Sequence, residues 1–241
     1  MKLKSLLIAV LVLPVVVSCQ NSNKKVGKVM LKTDVDTLSY ALGVNIAGSF
    51  NNAKLDDVNY KAIARAIQDV FSKDSSRIKM SDEEAMKYIQ DYFNRREMRI
   101  AKENLEASKK FLEENKTKEG VIVDSTGLQY KIITEGTGPM PTTEDVVKVH
   151  YKGTLIDGTT FDSSYDRGEP AQFKLNQVIP GWTIGLQKMK VGSKFMLYVP
   201  SEMAYGERVR PGGPIGPNQA LIFEVELLDI VKEQPAKNDK K

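Results

Sequence analysis

The chain has 241 residues, 41% hydrophobic and 27% charged, with 17 Gly, 10 Pro and a single Cys, Trp and His. Those proportions exclude a collagen, a low-complexity disordered chain and a disulfide-stapled miniprotein, and the length leaves room for one large domain or two modest ones, of which two is the preferred reading. The formal charge of +4 drops to +2 once Lys2 and Lys4 are set aside with the leader described next, a balance that argues against nucleic acid as the principal partner.

Residues 1–18 read as a lipoprotein signal peptide. Lys2 and Lys4 precede an apolar run from Leu6 to Val17, broken only by Pro14, which is shorter than the roughly 20 residues a membrane-spanning helix needs. Cys19 follows the small residue Ser18 and resembles the lipidated cysteine of a bacterial lipobox, with ordinary cleavage near Ser18 as the alternative. A lone thiol has no internal disulfide partner. Residues 19–35, rich in Asn, Ser and Lys, offer too little apolar surface to order and read as a flexible tether. By resemblance to Gram-negative lipoproteins, Gln20 permits sorting to the outer membrane, so the expected location is the bacterial envelope, lipid-anchored and facing the periplasm.

Between Asp34 and Glu119 there are two glycines, Gly43 and Gly48, and no proline, whereas 13 Gly and 8 Pro fall between Val121 and Lys232. The punctuation predicts a helical domain over 36–119 and a strand-and-turn domain over 120–232, with a boundary near Gly120. Leu38, Ala41, Leu42, Ile46 and Ala47, then Ile63, Ala66, Ile67 and Val70, recur at helical spacing and give two amphipathic helices. Ser81-Asp82-Glu83-Glu84 has the form of a capping box opening a long helix over 82–116. At 1.5 Å per residue that helix extends about 50 Å. Its early face (Ala85, Met86, Ile89, Tyr92, Phe93) is too apolar for two short helices to cover, which points to a homodimer through the helical domain. A monomeric three-helix domain with a solvated charged stalk is the alternative. The charges from Arg95 to Lys110, including Glu106 four residues before Lys110, read as exposed helix surface.

In the second half Leu128–Ile132, Val147–Tyr151, Phe195–Val199 and Leu221–Leu227 alternate in the manner of strands, and Pro180 opens a short helix with Trp182 in its first turn. The expected fold class is α+β: an all-helical dimerisation domain with a long connecting helix, then a curved antiparallel sheet wrapped on one short helix. Residues 233–241 read as a disordered tail. There is no Gly-rich phosphate loop and no nucleophile elbow, and His150, alone within a strand, gives neither a metal site nor a His-assisted nucleophile, so no cofactor is expected. What remains is aromatic, with Asp162 and Arg167 as the nearest charges.

The ordered segments Val149-His150-Tyr151-Lys152-Gly153, Gly158-Thr159-Thr160-Phe161-Asp162-Ser163-Ser164, Val178-Ile179-Pro180-Gly181-Trp182, Ala204-Tyr205-Gly206 and Leu221–Leu228 resemble the FKBP-type peptidyl-prolyl cis-trans isomerases. The helical half and long connecting helix resemble the dimeric macrophage infectivity potentiator and FkpA-like periplasmic subgroup. The resemblance implies Trp182 as the floor of a proline pocket, Tyr151, Phe161, Phe173 and Phe223 as walls, and Val178 and Ile179 at the rim. It also implies that the Ile179 amide and Tyr205 hydroxyl hold substrate carbonyls, that Asp162 faces the reacting amide beside Arg167, and that Ile215 overhangs the pocket. Asp162, Tyr205 and Phe161 are the expected catalytic residues, with Tyr205 and Asp162 expected to be buried and partnered. Phe173 and Phe195 fit a plain core equally well. Departures are Ala171, where many relatives carry an aromatic residue, and a basic Gly- and Pro-rich loop from Glu207 to Pro217.

The implied activity requires only a dry cavity. Rotation about X-Pro crosses a barrier of roughly 18 to 20 kcal/mol, and the twisted transition state, having lost resonance, needs less water around its carbonyl than the planar ground state. The expected partners are X-Pro segments of unfolded or exported proteins, with macrolide inhibitors as candidate ligands. A dimeric holdase with incidental isomerase activity is the alternative function.

Overall fold

The computed structural model describes residues 28–231 apart from 56 and 211; Cys19, the leader and the tail from 233 lie outside the described residues. The chain divides into two compact units between Ser81 and Asp82.

In the first unit, helix α1 (Asp34–Asn52) begins inside the segment read as tether, because Thr33 caps it. The Thr33 hydroxyl accepts the Asp36 amide at 3.1 Å and the Asp36 carboxylate accepts the Thr33 amide at 2.9 Å, satisfying two amides that a helix start leaves open. Helix α2 (Tyr60–Phe71) is capped by Asn59. On it Asp69, 4% exposed, is held by Arg65 at 2.8 Å and by Arg77 at 3.8 Å. No residue of α1 is buried.

The second unit opens with helix α3 (Asp82–Asn115), the long helix expected from the sequence. Seven antiparallel strands follow: β1 (Val121–Val123), β2 (Gln129–Thr134), β3 (Val146–Leu155), β4 (Thr160–Ser163), β5 (Ala171–Lys174), β6 (Lys194–Val199) and β7 (Leu221–Val231). The sheet order is β1-β2-β6-β7-β3-β4, with β5 also paired to β3. β3 and β7 lie at its centre, and alternate residues of each are buried. Helix α4 (Pro180–Leu186) packs against β6, and the core between them is formed by Leu128, Val147, Val149, Leu175, Leu186, Leu197, Val199 and Val225. The α+β class holds, with β1, β4 and β5 added to the strands read from alternation.

Helix α3 is less solvated than its charges imply. Asn115, 1% exposed, donates to the Gln129 side chain at 2.9 Å, and Gln129 in turn donates to the Leu112 carbonyl at 2.9 Å. Ser108 is buried as well. Glu106 pairs with Lys102 rather than Lys110, which reaches Glu114 instead; each charge has a counterpart one turn away on both sides, so spacing alone does not choose the pairing.

Candidate active site

Pro180 opens α4 at a position where a missing amide hydrogen costs nothing. The Ile179 carbonyl accepts the amides of Trp182 and Thr183 at 2.9 and 3.1 Å, turning the chain into the helix. Gly181 and Gly185, one turn apart, face β6. A Cβ on Gly181 would lie 2.3 Å from Val199 Cγ1, and one on Gly185 would lie 2.8 Å from Leu197 Cδ1. Only hydrogen fits there, and this close approach sinks Trp182 to 4% exposure.

Three rings stand edge-on to the indole, with centroids 5.1 Å away for Tyr151, 5.4 Å for Phe173 and 5.3 Å for Phe223. Phe161 meets Phe223 edge-on at 5.5 Å. These are the arrangements that aromatic quadrupoles favour. They enclose a cavity of about 300 Å³, rimmed by Gln177, Val178 and Ile179, with Asp162 and Tyr205 at its polar side. The indole N–H is buried without an acceptor among the described residues. Such a group costs about 1 to 3 kcal/mol, so ring packing has prevailed over polar satisfaction at the floor.

Asp162 and Tyr151 come from neighbouring strands and share a closed network with Arg167. The Tyr151 hydroxyl donates to one carboxylate oxygen of Asp162 and Arg167 donates to the other. Arg167 also donates to the Tyr151 hydroxyl at 2.9 Å, and its guanidinium lies 5.5 Å from the ring centroid. Burial pushes the Asp162 carboxyl up, but hydrogen bonds from Tyr151 and Arg167 and the Arg167 charge outweigh it, leaving the group below the ordinary carboxylate value. Burial, then Asp162, pushes the Tyr151 phenol up. A carboxylate so engaged is a poor base; the network pins the Tyr151 ring against the indole.

Tyr205 departs from expectation. It follows a 3-10 turn over Ser201–Met203, stands 48% exposed at the mouth, and its hydroxyl bonds to none of the described residues. A phenol exposed to this extent is open to solvent, so it needs no internal partner. Asp162 is only half-buried, partnered as expected. Arg167 lies outside the cavity wall behind Tyr151 and Asp162, and Ile215 packs against the core without lining the cavity. Phe173 lines the cavity, whereas Phe195, 2% exposed, stacks on Tyr130 at 5.7 Å in the core. Gln177 is a lining residue that sequence reasoning missed, because nothing in its composition or spacing marks it. His150 stacks on Tyr165 at 4.7 Å, and its Nδ1 lies 3.0 Å from the Ser164 hydroxyl. Among the described residues no group of three His, Cys, Asp or Glu side chains could hold a metal ion.

An antiparallel sheet on one short helix, with a single indole flooring a ring-walled cavity, leaves an apolar space of about 300 Å³ open at one side. The chain belongs to the FKBP-type peptidyl-prolyl cis-trans isomerases: residues 138–228 match that family, and 35–132 match the domain amino-terminal to it. It is 43% identical over 209 residues to the outer membrane protein MIP of Legionella longbeachae, covering 84% of this chain and 88% of that one. It is 44% identical over 225 residues to the isomerase FkpA of Aeromonas hydrophila, covering 87% and 80%. The crystal structure of FkpA from Escherichia coli superposes with a TM-score of 0.66 at 38% identity, covering 83% of this chain and 98% of that one. The protein is therefore a peptidyl-prolyl cis-trans isomerase with an FKBP-type helical region ahead of its isomerase domain.

Proposed function

We infer that the enzyme accelerates X-Pro rotation by seating the prolyl ring on Trp182 and withdrawing water from the imide, and that its clients are exported proteins in the envelope. The observation that carries this reading is the ring-walled cavity itself, apolar at the floor and polar along one side. The planar imide carries more carbonyl charge than the twisted one and loses more on leaving water, so a dry cavity favours the transition state. Each tenfold in rate requires about 1.4 kcal/mol of that difference. No nucleophile or proton donor to a reacting heavy atom is needed. The Ile179 amide finds no acceptor among the described residues and, with the free Tyr205 hydroxyl, offers donors at the mouth for the carbonyls flanking the proline. Asp162 acts through Tyr151, and Phe161 closes the wall.

For location, the reading is supported by the leader and Cys19, and by a relative named as an outer membrane protein. Among the described residues no helix is long and apolar enough to cross a membrane, so attachment would fall to a lipid on Cys19. A homodimer through the helical region is supported by apolar side chains left uncovered: Val35 71%, Leu38 59% and Leu42 56% exposed on α1, and Met86 69% on α3. Nothing in the described residues favours the holdase over the isomerase. Macrolides remain candidate ligands of the same cavity.

The test is a protease-coupled isomerisation assay of the full chain on a Leu-Pro tetrapeptide. Tyr205→Phe removes one hydrogen bond to bound substrate and should lower kcat/KM up to about tenfold with an unchanged unfolding midpoint, and Asp162→Val should lower it with the fold intact. Unchanged turnover in both variants contradicts the assigned roles.

A further inference from the structure

The loop from Tyr205 to Ala220 is fastened to the long helix by contacts made outside the cavity lining. Ala101, Asn104 and Ser108 lie three and four positions apart and so share one stripe of α3. Asn104 Nδ2 donates to the Pro217 carbonyl at 2.8 Å. The Ser108 hydroxyl donates to the Asn218 carbonyl at 3.0 Å and accepts the Ala220 amide at 2.8 Å. Asn218 Nδ2 donates back to the Ala101 carbonyl at 3.3 Å. A serine within a helix commonly returns its hydroxyl to its own helix; Ser108, 3% exposed, gives both donor and acceptor capacity to the loop instead.

Asn218 links these bonds to the pocket mouth. It is 7% exposed and holds a left-handed backbone at φ 57°, a conformation Asn tolerates better than most residues. Its amide donates to the Gly206 carbonyl at 2.8 Å, and Gly206 follows Tyr205. Hydrogen bonds and one peptide link thus run from Ser108 through Asn218 and Gly206 to Tyr205. On the other side, Ala220 leads directly into β7, which carries Phe223.

We propose that Asn104 and Ser108 are positioning residues of the isomerase site: the long helix sets the loop that holds Tyr205, so α3 belongs to the catalytic unit and is more than a spacer. The proposal rests on the isomerase reading of the cavity. A half-exposed phenol with no partner among the described residues takes its position from its backbone, and this backbone is held from α3. Releasing the loop spreads the hydroxyl over positions that miss the substrate carbonyl, and misplacement of that kind lowers turnover.

The experiment uses the full chain with Ser108→Ala, Asn104→Ala and a control, Asn115→Ala. The control also removes a buried hydrogen bond of α3, but one that reaches β2 rather than the loop. Each variant is assayed well below its unfolding midpoint for kcat/KM on a Leu-Pro tetrapeptide, and for amide hydrogen exchange over 205–220. Ser108→Ala and Asn104→Ala should lower kcat/KM about tenfold and speed exchange at Asn218 and Ala220, whereas Asn115→Ala should lower the midpoint but keep kcat/KM within about two-fold of the parent. Asn104 is only half-buried, so its variant stays informative if Ser108→Ala fails to fold. Parent-like kcat/KM in folded loop variants, or a fall that tracks the midpoint equally in all three, overturns the proposal. An inactive parent chain overturns the reading of the cavity instead, and the exchange data still report whether α3 holds the loop.

Discussion

Gly153 lies so close beneath the ring of Phe161 that a Cβ added to it would stand 2.5 Å from Phe161 Cζ and 3.0 Å from Phe223 Cε1. In the sheet Gly153 is flanked by Asp162 on β4 and Phe223 on β7, so one missing side chain makes room for two walls of the cavity. Gly153→Ala should displace Phe161, at a cost of about 1 to 3 kcal/mol of overpacking, and lower kcat/KM by more than the lost folded fraction explains. Urea unfolding and peptide turnover on the same sample check this.

Phe173 and Phe195 separate function from stability. Phe195→Ala empties a core site and should cost about 3 to 5 kcal/mol, leaving the remaining folded molecules active. Phe173→Ala removes a partly exposed wall and should cost less stability while raising KM. Titrating KM against the unfolding midpoint for both variants distinguishes the two.

The network of Asp162, Tyr151 and Arg167 predicts the pH dependence. The folded Asp162 carboxyl lies below its ordinary value of 3.8, so its support is present above that value and is lost only as pH falls through the lower folded one. Tyr151, raised above 10.0, stays neutral into alkaline solution. The pH-rate profile should therefore be level with respect to this network from about pH 5 to 9. A limb attributable to Asp162 in that window, absent in Asp162→Asn, would show the carboxylate working as a base.

Lys188, just past α4, pairs with Asp124 at 2.5 Å. The Lys188 hydrogen bond, followed by those from Thr126, holds the Asp124 carboxyl well below the usual range. Asp124→Asn should cost about 1 to 3 kcal/mol at neutral pH. Because the folded value is depressed, the difference between parent and variant should persist above pH 4 and shrink as the solution is acidified further. Denaturant unfolding at several pH values measures it.

Much of the site was legible because its residues cluster in short segments with strong local signals. Pro180-Gly181-Trp182 states both a helix start and the aromatic it presents, and Val147–Tyr151 alternates over a strand that is buried on one face. The four-residue strands Thr160–Ser163 and Ala171–Lys174 were missed, being too short for a period to register. The contact of α3 with the sheet was missed for a different reason: Asn104, Ser108 and Asn115 are polar, and hydrophobic periodicity assigns polar residues to solvent. Tyr205 shows the converse, an aromatic residue read as buried that stands at an open mouth. It sits on a loop that hydrogen bonds to α3 more than 100 residues away in sequence, as between Ser108 and Asn218, and no local pattern registers a contact of that range.

In the mechanism proposed above, the cavity catalyses by taking water away, without moving a proton. Comparing kcat/KM of the full chain on a Leu-Pro tetrapeptide in H2O and in D2O separates this from proton transfer. Clear acceleration over the uncatalysed rate and nearly equal values in the two solvents are expected. No acceleration, or turnover several-fold slower in D2O, would contradict that mechanism.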